Sequence, residues 1–132
     1  MRVFADTSAL YAVLVRSDED HARVAEAFPE LLQPDVQLVT SSYVRQELVI
    51  LLQARVGIPS IVAFQHQIEP WLQMIWIDEV VHARAMSALI ASGSRRVSLT
   101  DRTSFEVMRS LGIRKAFALD AHFSAEGFDL VP

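Results

Sequence analysis

No cysteine occurs among the 132 residues, which excludes disulfides and thiolate metal sites and is compatible with the cytosol. No apolar run approaches the roughly eighteen residues of a membrane span; the longest candidate, LVILLQARVG, is broken by Gln53 and Arg55. No signal peptide is expected, because MRVFADTSALYAVLV meets Asp6 before an apolar stretch is long enough to be one. Lysine is nearly missing: Lys115 stands alone beside eleven Arg. Arg suits bidentate phosphate contact, but such a bias more often reflects genomic composition and carries little weight. An excess of base is missing too. Sixteen acids against twelve bases give a net charge of −4, which argues mildly against non-specific nucleic-acid binding. An acidic metal site, however, can meet phosphate through its cations. Repeats, low-complexity tracts and linkers are absent, as are a Walker A loop, GxGxxG and GxSxG. These exclusions leave a soluble, cytoplasmic, single domain spanning 1–132. With 52% hydrophobic and 21% charged residues, it is long enough to bury a core.

Short apolar strands alternate with helices along the chain. RVFA (2–5), VQLVT (36–40), MIWI (74–77), KAFAL (115–119) and FDLV (128–131) are expected strands. ALYAVLV (9–15) is a helix, and SDED opens another, Ser17 and Asp20 having capping-box spacing. A long helix over 42–55 ends before Gly57. A further helix begins near Pro59 and ends before Pro70. Helices also cover 79–91, stopped by SGS, then 98–111, closed by Gly112, and 121–126. Phe64, Trp71 and Trp76 read as core. This alternation predicts an α/β fold with a parallel sheet covered on both faces. In such sheets ligands bind outside the carboxyl ends of the strands, near a switch in strand order.

Four carboxylates stand out by position. Asp6 follows the first strand and Asp120 the fourth, so both belong at the carboxyl edge. Either could also simply cap the next helix. Glu47 sits in the stripe made by Val44, Leu48, Leu51 and Leu52. Capping cannot explain it, since position 44 is Val. A carboxylate there is costly unless it pairs with an Arg, such as Arg55, or binds a metal. Asp101, in SLTDRTSFEVM, lies three residues past Ser98 at capping-box spacing. Yet Asp101, Phe105 and Met108 fall at i, i+4 and i+7, on one helix face. The two roles are compatible, because a first-turn side chain can point off the helix end.

Together the four acids form a plausible convergent cluster. Gathered like charges repel and raise one another's pKa values. A divalent cation relieves that repulsion, and all-oxygen ligands suit Mg²⁺ or Mn²⁺ better than Zn²⁺. The chemistry that suits this constellation is metal-assisted phosphodiester hydrolysis. Thr7 and Ser8 either support Asp6 or cap the helix at 9–15. Arg102 is a candidate phosphate contact, whereas Arg95 and Arg96 read as solvated surface. His122 reads as surface or as an outer layer of the cluster; His21, His66 and His82 lack metal-ligand spacing.

ADTSAL, the acid within SSYVRQEL, SLTDRTSFEVM and KAFALDAHFSAEGF together resemble a PIN-domain nuclease, over essentially the whole chain and in particular the VapC-type toxins of toxin–antitoxin pairs. The resemblance implies a three-layer α/β/α fold with a four- or five-stranded parallel sheet, and a Mg²⁺- or Mn²⁺-dependent endoribonuclease. It places the family's acids on Asp6, Glu47, Asp101 and Asp120, and its small hydroxyl residue on Ser8. It also implies an RNA substrate, a homodimer and an antitoxin partner, and the lack of a long apolar run predicts no membrane association. One departure is Ala118, where the family often has Thr two residues before its last Asp; it bears on a polar contact around Asp120 and not on the metal cluster itself. Two alternatives remain open: a PIN-fold module that binds RNA or protein without cutting, and a non-toxin RNA-processing nuclease. A haloacid-dehalogenase-like phosphatase needs an Asp where Ser8 stands, and a receiver domain needs an acidic pair where only Asp6 is present.

Overall fold

The computed structural model describes residues 1–132. Five strands form one sheet, β1 (Arg2–Ala5), β2 (Gln37–Ser41), β3 (Leu72–Ile75), β4 (Lys115–Phe117) and β5 (Asp129–Val131), in the order β3-β2-β1-β4-β5. Every pairing is parallel, with Phe4 of β1 opposite Val39 on one side and Ala116 on the other. A parallel sheet needs cover on both faces, and seven helices complete a three-layer α/β/α arrangement. They are α1 (Thr7–Leu14), α2 (His21–Ala27), α3 (Ser42–Arg55), α4 (Ile58–Ala63), α5 (Glu79–Ser92), α6 (Leu99–Leu111) and α7 (Ala121–Ala125). None is long and apolar enough to cross a membrane.

The core forms where the two periodicities meet. Val3, Phe4, Leu38, Val39, Ala116 and Phe117 fill the sheet, and Val44, Leu48 and Leu52 bury one stripe of α3. Phe105 and Met108 bury one face of α6, with Phe105 edge-on to Phe123 at 5.1 Å between ring centroids. Gly112 closes α6 with φ 68°, a left-handed conformation that glycine adopts without a Cβ penalty, and Ile113 N donates to Met108 O at 2.8 Å.

Several sequence expectations shift. The third strand lies at 72–75, not 74–77, and it is a sheet edge. Trp71 and Trp76 therefore flank a short edge strand and are 51% and 69% exposed instead of packed in the core. The Arg45 guanidinium lies 4.7 Å from the Trp76 ring centroid. Phe64 is buried as expected. The single helix expected from Pro59 onward is composite: α4 runs into a π turn (Phe64–Ile68) and a 3-10 turn (Glu69–Trp71). Pro70 has no N–H to continue the winding, and the π turn lets both Phe64 and Ile68 reach the core. Ser17 and Asp20 form no capping box. Asp20 makes no side-chain cap, and its own N–H donates to Asp18 Oδ1 at 2.9 Å. The fourth strand ends at Phe117, two residues earlier than expected.

Candidate functional site

The strand order reverses at β1. The chain leaves β1 for β2 and β3 on one side, then returns to β4 and β5 on the other. The crevice beyond the β1 and β4 carboxyl ends is thus the switch point at which such sheets bind ligands. Asp6 sits there, its backbone N–H donating to Phe117 O of β4 at 2.9 Å. It caps α1 through its side chain, so the bland role read from the sequence is real. That role uses only one carboxylate oxygen. Oδ2 accepts from the Ser8 N–H at 3.1 Å and the Ser8 hydroxyl at 2.6 Å. Oδ1 is buried and has no hydrogen-bond partner, and neither has the Thr7 hydroxyl.

Ser8 does more than support Asp6. Its Oγ also accepts from the Leu119 N–H at 3.0 Å, across 111 positions of sequence. This bond ties the α1 start to the loop that carries Asp120. Ala118 is itself buried, and the tie from Ser8 holds the residue that follows it.

Asp101 occupies the third position of α6 in a full capping box. Its amide donates to Ser98 Oγ at 3.1 Å, and its Oδ2 accepts from the Ser98 N–H at 3.3 Å. It is also buried, on the face continued by Phe105 and Met108. Asp120 caps α7, its Oδ1 accepting from the His122 N–H at 2.9 Å. Ligand atoms of Asp101, Asp120 and His122 all lie within 4.8 Å of one another. The His122 ring is thus part of the group and not merely surface, with Nε2 at 3.5 Å from Asp120 Oδ1. The D-x-H spacing at 120–122 was the only sequence signal for it.

Asp6 and Glu47 lie outside that tight trio but are joined to it electrostatically. Burial pushes the Asp6 pKa up to about 7; the Ser8 hydroxyl and amide pull it down, and the charges of Asp101 and Glu47 raise it further. Burial also raises the Asp101 pKa. The Ser98 amide opposes that rise, Asp120 and Glu47 add to it, and His122 lowers it. Glu47, half-buried on α3, forms no ion pair with Arg55 or any other base. Arg55 instead lies 5.9 Å from the Tyr11 ring centroid. The Arg102 side chain is only 14% exposed and pairs with Glu126 at 3.6 Å. Arg109 grips the same carboxylate at 2.6 Å. One position past Asp101 on the helix, Arg102 turns toward Glu126 at the end of α7.

Four segments distant in sequence thus bring Asp6, Glu47, Asp101 and Asp120 into one field of mutual repulsion. The buried, unpartnered Asp6 Oδ1 and an oxygen-rich donor set fit a hard divalent cation such as Mg²⁺ or Mn²⁺.

The PIN-domain family model matches residues 3–128. The chain is 32% identical over 127 residues to the 23S rRNA-specific endonuclease VapC20 of Mycobacterium tuberculosis, in strains CDC 1551 / Oshkosh and ATCC 25618 / H37Rv alike; the match covers 96% of this chain and 95% of that one. The crystal structure of M. tuberculosis VapC20, described as a Sarcin-Ricin loop cleaving toxin, superposes with a TM-score of 0.84 at 30% identity, over 96% of this chain and 95% of that one. FitAcB from Neisseria gonorrhoeae shares the fold, with a TM-score of 0.69 at 17% identity over 100% and 97% of the two chains.

Proposed function

The chain belongs to the PIN-domain family, and from that premise we propose that it is a divalent-metal-dependent endoribonuclease, the toxin of a toxin–antitoxin pair. The observation that carries this reading is the buried Asp6 carboxylate, with one oxygen unpartnered and its pKa raised to about 7 among other acids. Such a carboxylate is costly to ionise unless a cation faces it.

Asp6, Glu47, Asp101 and Asp120 are the residues that would hold Mg²⁺ or Mn²⁺. When bound, the metal supplies charge neutralisation and Lewis acidity for phosphodiester hydrolysis. The chain's own contribution is positioning. Ser8 orients Asp6 and fixes the Asp120 loop, Ser98 orients Asp101, and the His122 amide orients Asp120. The His122 ring beside Asp101 and Asp120 is placed to donate a ring N–H to a phosphate oxygen. The relative's ribosomal RNA substrate supports RNA as the polymer cut here. An antitoxin and a second copy of the chain are the proposed protein partners.

Asp6→Asn and Asp101→Asn are expected to abolish RNA cleavage in Mg²⁺ or Mn²⁺ while leaving the protein folded. Mn²⁺ is expected to raise the melting temperature of the parent by mass action, and that of Asp6→Asn much less. Asn variants that cut RNA at the parental rate would sink the proposal.

A further inference from the structure

Beside the carboxylates, a cavity of about 430 Å³ opens between α3 and the first turn of α6. Glu47 forms part of its wall, and Thr100, the neighbour of Asp101, forms another part. Tyr43, Gln46, Ile50, Leu51 and Leu99 complete the lining. Leu51 also lines a second cavity, of about 350 Å³, which carries Thr7, Ser8 and Asp120. The larger cavity is therefore continuous in its walls with the acid cluster, and its size falls in the range that takes a small planar ligand.

Tyr43 is anchored to α5 through both its hydroxyl and its ring. Its hydroxyl is hydrogen-bonded to His82 Nδ1 at 2.5 Å, and its ring meets the His82 ring edge-on, centroids 5.9 Å apart at 74°. With the hydroxyl committed to α5, what the residue offers the cavity is its ring. Gln46 adds an exposed amide that both donates and accepts, and Leu51 and Leu99 add apolar walls. A π face, a paired donor and acceptor, and apolar sides are what an unstacked nucleobase requires.

We propose that this cavity is a base-binding subsite, taking the base of the RNA nucleotide next to the phosphate held at the carboxylates, with Tyr43 as the stacking wall and Gln46 as the group that reads the base edge. The proposal rests on the nuclease reading above and deepens it, because it locates where substrate preference arises. His82 is a positioning residue in this scheme, acting through the Tyr43 hydroxyl.

The test uses the full chain carrying Asp6→Asn, so that RNA is bound and not cut. The probes are fluorescein-labelled oligouridylate and oligoadenylate, each compared with an abasic ribose–phosphate oligomer of equal length, at an Mn²⁺ concentration that saturates the variant's own melting-temperature shift. Binding is read by fluorescence anisotropy, and cleavage of the same RNAs by the parental protein is measured in parallel. The base-containing oligomers are expected to bind about tenfold tighter than the abasic one, as one stacked base provides. Adding Tyr43→Ala is expected to erase that ratio, and adding Gln46→Ala to narrow the gap between the two bases. If Tyr43→Ala destabilises the fold, Tyr43→Leu keeps apolar volume and removes the aromatic face, with the same expectation. A ratio that survives loss of the ring overturns the proposal, as does equal weakening of intact and abasic oligomers. The proposal also fails if Tyr43→Ala disrupts self-association in sedimentation and leaves the ratio intact, since a second copy would then be what covers the cavity. Cleavage with a ring-independent ratio leaves the nuclease reading standing alone. A ring-dependent ratio without parental cleavage does the reverse.

Discussion

At Asp6, ionisation and fold stability are tightly linked. The side chain is 3% exposed, and burial moves its pKa from 3.8 to about 7. Between those values the folded protein keeps a proton that the unfolded chain has lost, so stability falls as pH rises through this window and levels off above it. A tenfold difference in acidity between the folded and unfolded chain is worth about 1.4 kcal/mol. In a chelator, the unfolding free energy from urea titration is therefore expected to decline between about pH 4 and pH 7. Asp6→Asn is expected to remove most of this decline and to exceed the parent at pH 8 by roughly 1–3 kcal/mol. An Asn variant less stable than the parent there would contradict the burial argument. Of the contacts around Asp6, the one to Ser8 was legible in sequence, being two positions away. The bond from Ser8 to Leu119 was not, because it spans 111 positions.

α6 combines two demands on one side chain. Its start needs an acceptor for the Ser98 N–H, and its inward face presents a carboxylate to the cluster. The two demands separate by substitution. Asp101→Asn keeps an acceptor at the cap and removes the charge, whereas Asp101→Ala removes both. Both variants are expected to lose metal-dependent cleavage, but only Asp101→Ala should lose cap energy, about 0.5–1 kcal/mol by chemical denaturation relative to Asn. Equal stability of the two would mean that the cap contributes nothing. This helix was almost fully readable in advance, since Ser98, the i, i+4, i+7 face and Gly112 all act within a turn or two. The stretch from Ile58 to Trp71 was not. Its proline placement suggested one helix, but packing Phe64 and Ile68 into the same core imposed a π turn.

For the molecule as a whole, the all-parallel order β3-β2-β1-β4-β5 assembles the site. It brings Asp6, ahead of α1, beside the β4 end, where it, Glu47 of α3, Asp101 of α6 and Asp120, ahead of α7, act on one another electrostatically. The same order leaves β3 at an edge and several large apolar side chains uncovered, among them Ile58, Trp76, Val80 and Ile90. Scattered singly they need no partner, but their number supports the proposed homodimer. Sedimentation velocity at micromolar concentration is expected to find a dimer; a purely monomeric boundary would contradict it. What the sequence determined by itself was what near neighbours set: the alternation of strand and helix, the faces of α3 and α6, and the capping box of α6. Residue type and spacing decide these within one or two turns of chain. Only the tertiary structure decided that Trp71 and Trp76 face solvent, that Arg102 turns to Glu126, that the His122 ring joins Asp101 and Asp120, and that Ser8 clamps the Asp120 loop. Each of these depends on which strand lies beside which, and strand order is fixed by burying the whole sheet at once.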